Sequence, residues 1–332
     1  MVLVKHIFVV FLFLVCFQTI RADWTKQNSN TLAWLHDVYF LNEQTGWIAG
    51  SGGTLLVTKD GGKIWTKSKT LNNNTIRQVY FTDEKNGWLL CERDVFALGK
   101  ESPSYLLKTA DGSANWERVE FSGNQRKRIT KIFFNKNGSG SAIGENGAFF
   151  SMSDDARIWK QQPSPVRYLL SDGVFKGDWN GVLVGAGGSI FFTEDAGLSW
   201  LKASIYGEQN AKLNSVFFIN QKTGWSVGAE GKIFQTINGG KVWREQKSNV
   251  LKDLKSIFFK NTAEGWAVGS EGIMLHTTTA GNVWTTADSV SRHNLEKVTF
   301  VGKKGFAVGF GGTILSFDES TAQNNLAAPP SN

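Results

Sequence analysis

The sequence predicts an all-β chain folded as a seven-bladed β-propeller of four-stranded antiparallel blades, with an N-terminal strand closing the last blade. Three observations predict it. A glycine triplet opens at Gly46, Gly87, Gly140, Gly181, Gly224, Gly265 and Gly305, seven times at a spacing of about 41 residues. An apolar hexamer of the form Leu-x-x-Val-x-Phe precedes every triplet. Seven tryptophans, Trp24, Trp65, Trp116, Trp159, Trp200, Trp243 and Trp284, keep the same period but start one unit early. The clearest copy is Gly224 to Trp243, with glycines at 224, 228 and 231 and a closing tryptophan nineteen residues after the first. The second copy departs, with Cys91 and Asp94 where its later glycines would fall.

In chain order, residues 1–22 carry a short basic start (Lys5, His6), an apolar run from Ile7 to Phe17 and a small residue, Ala22. That run is too short to span a bilayer comfortably, so it reads as a secretory signal peptide, and the protein is expected in the periplasm or outside the cell. Residues 23–318 form the propeller as one domain. Each unit is then strand, turn, strand. The hexamers Leu35 to Phe40, Ile76 to Phe81, Ile129 to Phe134, Leu170 to Phe175, Leu213 to Phe218, Leu254 to Phe259 and Leu295 to Phe300 are β-branched and aromatic and are followed by turn residues, as innermost strands would be. The Gly-Trp segment is the second strand. Its seventh-place glycine sits in a hairpin that needs positive φ, and LLVT, IFQT or MLHT forms the third strand.

Between the third strand and the tryptophan lies an Asp-box-like turn, clearest in Thr58 to Trp65, Thr109 to Trp116 and Thr193 to Trp200. A carboxylate there accepts backbone N–H groups that the sheet leaves unpaired. Asp60, Asp111, Asp154 and Asp195 are therefore read as turn supports and not as catalytic acids, and Asn238 and Thr279 stand in for the acid in two copies. The tryptophan then packs the outer strand against its neighbour. Because Trp24 precedes every triplet and Asn324 stands where the last triplet would need a tryptophan, Asp23 to Gln27 is expected to complete the sheet of residues 293 to 318 and close the ring. The stretch 319–332 is small, polar and proline-containing, and is expected to be a disordered tail.

Composition excludes several classes. Removing residues 1–22 lowers the formal charge from +7 to +5, too mild for a nucleic-acid footprint. Cys91 is then the sole cysteine, so the core and not a disulfide must hold the fold. His36, His276 and His293 are scattered without ligand spacing, so no metal is expected, and no cofactor.

Repeated G-W-x-x-G-x-x-G followed by T-x-D-G-G-x-x-W, seven times behind a signal peptide, resembles the photosystem II stability and assembly factor family of cyanobacterial and chloroplast lumens, which has relatives in non-photosynthetic bacteria. The likeness covers nearly all of residues 23–318. It implies a non-enzymatic propeller and a protein partner: a photosystem II reaction-centre precursor, met in the thylakoid lumen, if the source is phototrophic, or another membrane or envelope complex otherwise. Contact with the membrane would be peripheral at most, and the chain is expected to be a monomer.

The residues themselves offer two surfaces. Blade two has a hairpin lengthened between Glu92 and Tyr105, and the loop after it carries Arg126, Lys127 and Arg128. With Arg77, Arg93, Lys100, Lys131 and Arg167 they form a candidate basic partner-binding surface on blades two to four, since guanidinium groups bind carboxylates bidentately. The alternative is a solvated loop with ordinary charge. The second hexamer positions (His36, Arg77, Thr130, Ser171, Asn214, Lys255, Glu296) and the third (Asp37, Gln78, Lys131, Asp172, Ser215, Ser256, Lys297) form a polar channel mouth. The rival function is a sialidase-like hydrolase or a carbohydrate-binding propeller. It would want an arginine triad, an Arg-Ile-Pro opening and six blades, whereas Arg128-Ile129 runs into Thr130 and Arg157-Ile158 into Trp159.

Overall fold

The computed structural model describes residues 23–69, 72–94, 102–123, 126–153, 157–208 and 210–320. They form seven sheets around a central channel. The innermost strands are Leu35–Phe40, Thr75–Phe81, Ile129–Phe134, Leu170–Phe175, Leu213–Phe218, Leu254–Phe259 and Leu295–Val301, and each blade steps outward from there by antiparallel hairpins. The ring closes as the displaced tryptophan requires. Thr25–Gln27 is the outer strand of the seventh blade, pairing antiparallel with Ile314–Asp318 in the register Thr25↔Ser316, Lys26↔Leu315, Gln27↔Ile314.

Two blades differ from the expected four strands. Phe121–Ser122 runs parallel to the outer strand Trp159–Gln161 of blade three, and Ser204–Tyr206 runs parallel to Val242–Gln246 of blade five. In both cases the chain leaving one blade's rim lies along the next blade's rim before turning inward, and so covers an edge that would otherwise be open.

Each member of the glycine triplet has its own reason. A Cβ on the first glycine would strike the phenylalanine that ends the hexamer, as at Gly46, 2.6 Å from the Phe40 ring. One on the middle glycine would meet the carbonyl just before the inner strand, as at Gly269, 1.9 Å from Asp253 O. The third combines a left-handed backbone, φ 70° at Gly231, with a carbonyl at 2.0 Å, Val250 O. Blade two, lacking the last two glycines, instead continues its hairpin strands to Glu92 and Ser104 and buries Cys91, whose thiol burial pushes up to about 12.

The core lies between blades, in seven apolar seams. The seam across the closure joins Leu35, Val38, Ile48 and Trp65 of blade one to Phe306, Val308 and Ile314 of blade seven. Trp24, Trp159, Trp243 and Trp284 are buried, as is Trp65, while Trp116 and Trp200 are half-buried.

At the turns before these tryptophans, a threonine and an acid act together. Asp60 Oδ1 accepts the Thr58 hydroxyl at 2.8 Å and the amides of Lys63 and Ile64 at 3.0 Å each, while Thr58 Oγ1 accepts the Gly62 amide at 2.9 Å. Asp111 accepts Asn115 N at 2.9 Å and Asp195 accepts Ser199 N at 2.9 Å. The Ser199 and Thr193 hydroxyls and the Ser199 amide hold the Asp195 carboxyl down at about 2. Asn238 and Thr279 make the same bond with neutral oxygens, accepting Val242 N at 3.0 Å and Val283 N at 2.9 Å. Asp154 lies outside the described residues, as do the expected signal peptide and residues 321–332 of the expected tail. Glu319 and Ser320 are held to the sheet, Glu319 by an ion pair with Lys260 and Ser320 by its hydroxyl, which donates to Asp318 at 2.6 Å.

Candidate functional site

Strict alternation would turn only every second residue of an inner strand toward the axis. Here every inner strand slips register by one residue after its first position, between Leu35 and Asp37, Ile76 and Gln78, Ile129 and Lys131, Leu170 and Asp172, Leu213 and Ser215, Leu254 and Ser256, and Leu295 and Lys297. Such a bulge re-aims side chains. As a result both the second and the third hexamer positions of all seven blades line one basin of about 210 Å³ at the channel mouth.

Much of that polar ring is structural. The third position reaches the next blade's inner strand and satisfies its backbone. Asp37 Oδ2 accepts Val79 N at 3.1 Å, Asp172 Oδ2 accepts Val216 N at 3.0 Å and Ser256 Oγ accepts Val298 N at 3.3 Å. Gln78 bonds Ile132 twice, accepting its N–H and donating to its carbonyl, each at 2.8 Å. From the second position, Thr130 donates to Leu170 O at 2.7 Å and Asn214 to Leu254 O at 2.8 Å. These bonds satisfy inner-strand groups that the sheets themselves leave unpaired.

The charged members are tuned by one another. Burial opposes the Lys131 ammonium, but Asp172, 3.3 Å away, and Asp37 outweigh it and raise its pKa. Lys297 is lowered, by burial and by the neighbouring Lys131. His36 is lowered to about 3 by burial and by Arg77, whose Nη1 lies 3.4 Å from His36 Nε2. His36 is thus neutral in the folded chain where it would be protonated in the unfolded one. The unfolded state then binds more protons below the ordinary histidine pKa of 6.5, so this contribution destabilises the fold progressively as pH falls from 6.5 toward 3. A His36→Gln variant is expected to lose less stability than the parent between pH 6.5 and 5 in denaturant titrations. Equal slopes would contradict the assignment.

The predicted basic residues divide into groups. Glu92 gathers two of them, with Arg77 Nε at 2.6 Å from Oε2 and Arg128 Nε at 3.4 Å from Oε1, and Arg128 also lies 3.8 Å from Glu145. Arg126 and Arg167 are exposed and Lys127 is half-buried. Two others lie elsewhere. Arg93 is 7% exposed, stacked 4.4 Å over the Tyr105 ring and donating to Glu120 at 2.9 Å, so it braces the long hairpin. Lys131 sits in the channel against Asp172. Lys100 lies outside the described residues. Sequence reading missed Glu92 as the carboxylate between two guanidiniums. It also missed the fifth hexamer position, where Tyr39, Tyr80, Phe217 and Phe258 line a lower chamber of about 270 Å³. Counting by two from Asp37 would have found that chamber.

Comparison with known proteins places this geometry among characterised folds. A structure described as YCF48 bound to D1 peptide superposes with a TM-score of 0.72 at 20% identity, covering 90% of this chain and 97% of that one. YCF48 from Cyanidioschyzon merolae gives a TM-score of 0.73 at 18% identity and covers 90% of this chain and all of that one, 100%. Virginiamycin B lyase from Staphylococcus aureus reaches 0.74 at 12% identity, covering 90% and 99%. At such identities the likeness is one of architecture, which hosts many functions. No curated protein matches the chain. The sequence itself is more discriminating than the superpositions, because the model of the family described as photosynthesis system II assembly factor YCF48 matches residues 17–164 and 207–292, well over half the chain. This chain belongs to the YCF48 family of photosynthesis system II assembly factors.

Proposed function

We propose that the chain is an exported, non-enzymatic binding factor that holds a segment of a membrane or envelope protein against the basic surface of blades two to four. The observation that carries this reading is the meeting of Arg77 and Arg128 on Glu92, together with the exposure of Arg126 and Arg167. Glu92 does from within what an acidic side chain or a chain terminus of a partner would do from outside, since planar guanidiniums pair with carboxylates in a fixed geometry. Family membership and the relative described as bound to D1 peptide support a peptide-like partner. In a phototroph that partner would be a photosystem II reaction-centre precursor in the thylakoid lumen.

The test is affinity capture from detergent-solubilised envelope membranes with the mature chain as bait. Arg126→Glu combined with Arg128→Glu is expected to cut recovery of a membrane partner at least tenfold, about 1.4 kcal/mol of binding, at a temperature where circular dichroism shows the variant folded. Unchanged recovery with the doubly substituted chain would sink the basic-surface reading. Turnover of a sialoside reporter by the purified protein would replace it with the hydrolase.

A further inference from the structure

The channel changes character along its axis. Its mouth is wholly polar, whereas the chamber beneath is walled by Tyr39, Tyr80, Phe133, Phe134, Phe217 and Phe258. The two share a neck made of third-position residues, among them Asp37, Gln78, Lys131, Asp172 and Lys297. Most of the neck is already engaged. Asp37, Gln78 and Asp172 satisfy backbone groups of neighbouring blades, and Lys131 pairs with Asp172. Lys297 is the exception, a half-buried cation with no hydrogen-bond or ion-pair partner among the described residues. Asp37 and Asp172 lie near enough to favour its charge, but neither bonds it, and a half-buried ammonium whose donors are unpaired is costly unless an acceptor joins it.

We propose that the channel binds a small aromatic carboxylic acid, its carboxylate at the neck between Lys297 and Lys131 and its ring in the chamber below. The choice of anion follows from what is already used. The neck carboxylates are committed to backbone amides and to Lys131, so a ligand cation would find little free acceptor capacity, while Lys297 offers three donors. Burial and Lys131 lower the pKa of Lys297 by more than Asp37 and Asp172 raise it, as expected where neither carboxylate bonds the ammonium directly. An inorganic anion would leave the chamber unused. That chamber presents ring surface: the Tyr39 hydroxyl is spent on Phe81 O at 2.7 Å, Tyr80 stacks on Phe134 with centroids 4.5 Å apart, and Phe217 and Phe258 lie 4.8 Å apart. Its volume of about 270 Å³ is just below the range for drug-sized ligands, which restricts the body to one ring and a short chain. A further basin of about 380 Å³ shares Tyr80, Phe134 and Phe175 with the chamber.

This site is separate from the basic surface of blades two to four, and its test does not touch that surface. The probe is 3-phenylpropionate, titrated calorimetrically into the mature chain alongside 3-phenylpropan-1-ol, which lacks the charge, and propionate, which lacks the ring. Saturable single-site binding of 3-phenylpropionate is expected, at least tenfold weaker for the alcohol and for propionate and at least tenfold weaker in Lys297→Met, with Lys297→Arg retaining most of it. Intermolecular NOEs from the phenyl protons to the Tyr39 and Tyr80 rings are expected in the unsubstituted protein, a readout that needs no variant to fold. Equal binding by Lys297→Met, equal binding of propionate, or no binding of 3-phenylpropionate at all would overturn the proposal.

Discussion

Trp24→Ala is expected to destabilise the protein by about 3–5 kcal/mol, the range for removing a large buried aromatic. Trp24 is 4% exposed and belongs to the seam between blades six and seven, with Trp266, Val268, Met274, Leu295 and Val298. Its ring meets Phe300 edge-on at 5.8 Å and Phe317 at 5.5 Å. The loss is also topological, because the strand beside it, Thr25–Gln27, is the only part of blade seven contributed by the N-terminal end of the described chain. Gln27 extends the clasp to blade one, donating to Gly62 O at 3.0 Å and accepting Trp65 Nε1 at 3.2 Å. Removing residues 23–27 altogether should therefore expose the edge of Ile314–Asp318 and favour self-association. Thermal melts followed by near-ultraviolet circular dichroism, with size-exclusion chromatography, check both. A parental melting temperature in either variant would mean that the ring does not depend on its clasp.

Asp172→Ala is expected to cost about 3–5 kcal/mol for a different reason, the breaking of a buried charge pair from one side. Asp172 is 6% exposed. It accepts Val216 N at 3.0 Å and its own neighbour Gly173 N at 2.9 Å, and it stands 3.3 Å from Lys131. The alanine variant takes this acceptor from two amides, Val216 and Gly173, and leaves two lysines, Lys131 and Lys297, facing each other across the neck with Asp37 as the remaining neck carboxylate. Adding Lys131→Met to Asp172→Ala should recover part of the loss, because the stranded ammonium is gone while the two amides still lack their acceptor. Denaturant titrations of the two single variants and the double variant measure the coupling. Strict additivity would show that Lys131 and Asp172 do not act as a pair.

The repeat was legible because its period is written in residues that allow few alternatives. A first glycine lies under the phenylalanine that ends the preceding hexamer, a middle glycine abuts a carbonyl, and a third takes a left-handed turn, so none tolerates a side chain easily. Six such triplets and a seventh first glycine, Gly87, with tryptophans displaced by one unit required a ring and specified which strand closes it. The turn chemistry was legible too, since a threonine and an acid two residues on can reach the same loop amides without help from the rest of the fold.

Other features depend on contacts between blades, which no local pattern encodes. Arg93 and Arg126 look alike in the sequence, yet the long hairpin folds one over Tyr105 and leaves the other exposed. Glu92 lies between Arg77 and Arg128, fifteen and thirty-six positions away, because the second strand of blade two runs on to pair Glu92 with Thr75 at the head of its inner strand, next to blade three. The bulge at the head of every inner strand is likewise a product of packing, and it turns two consecutive residues into one ring. The sequence by itself therefore determined the number of blades, the order of strands and the manner of closure, all of which follow from local backbone demands repeated at a fixed period. Only the tertiary structure decided which polar side chains face one another across the channel, because convergence of seven strands on one axis sets those distances, and charges interact through space and not along the chain.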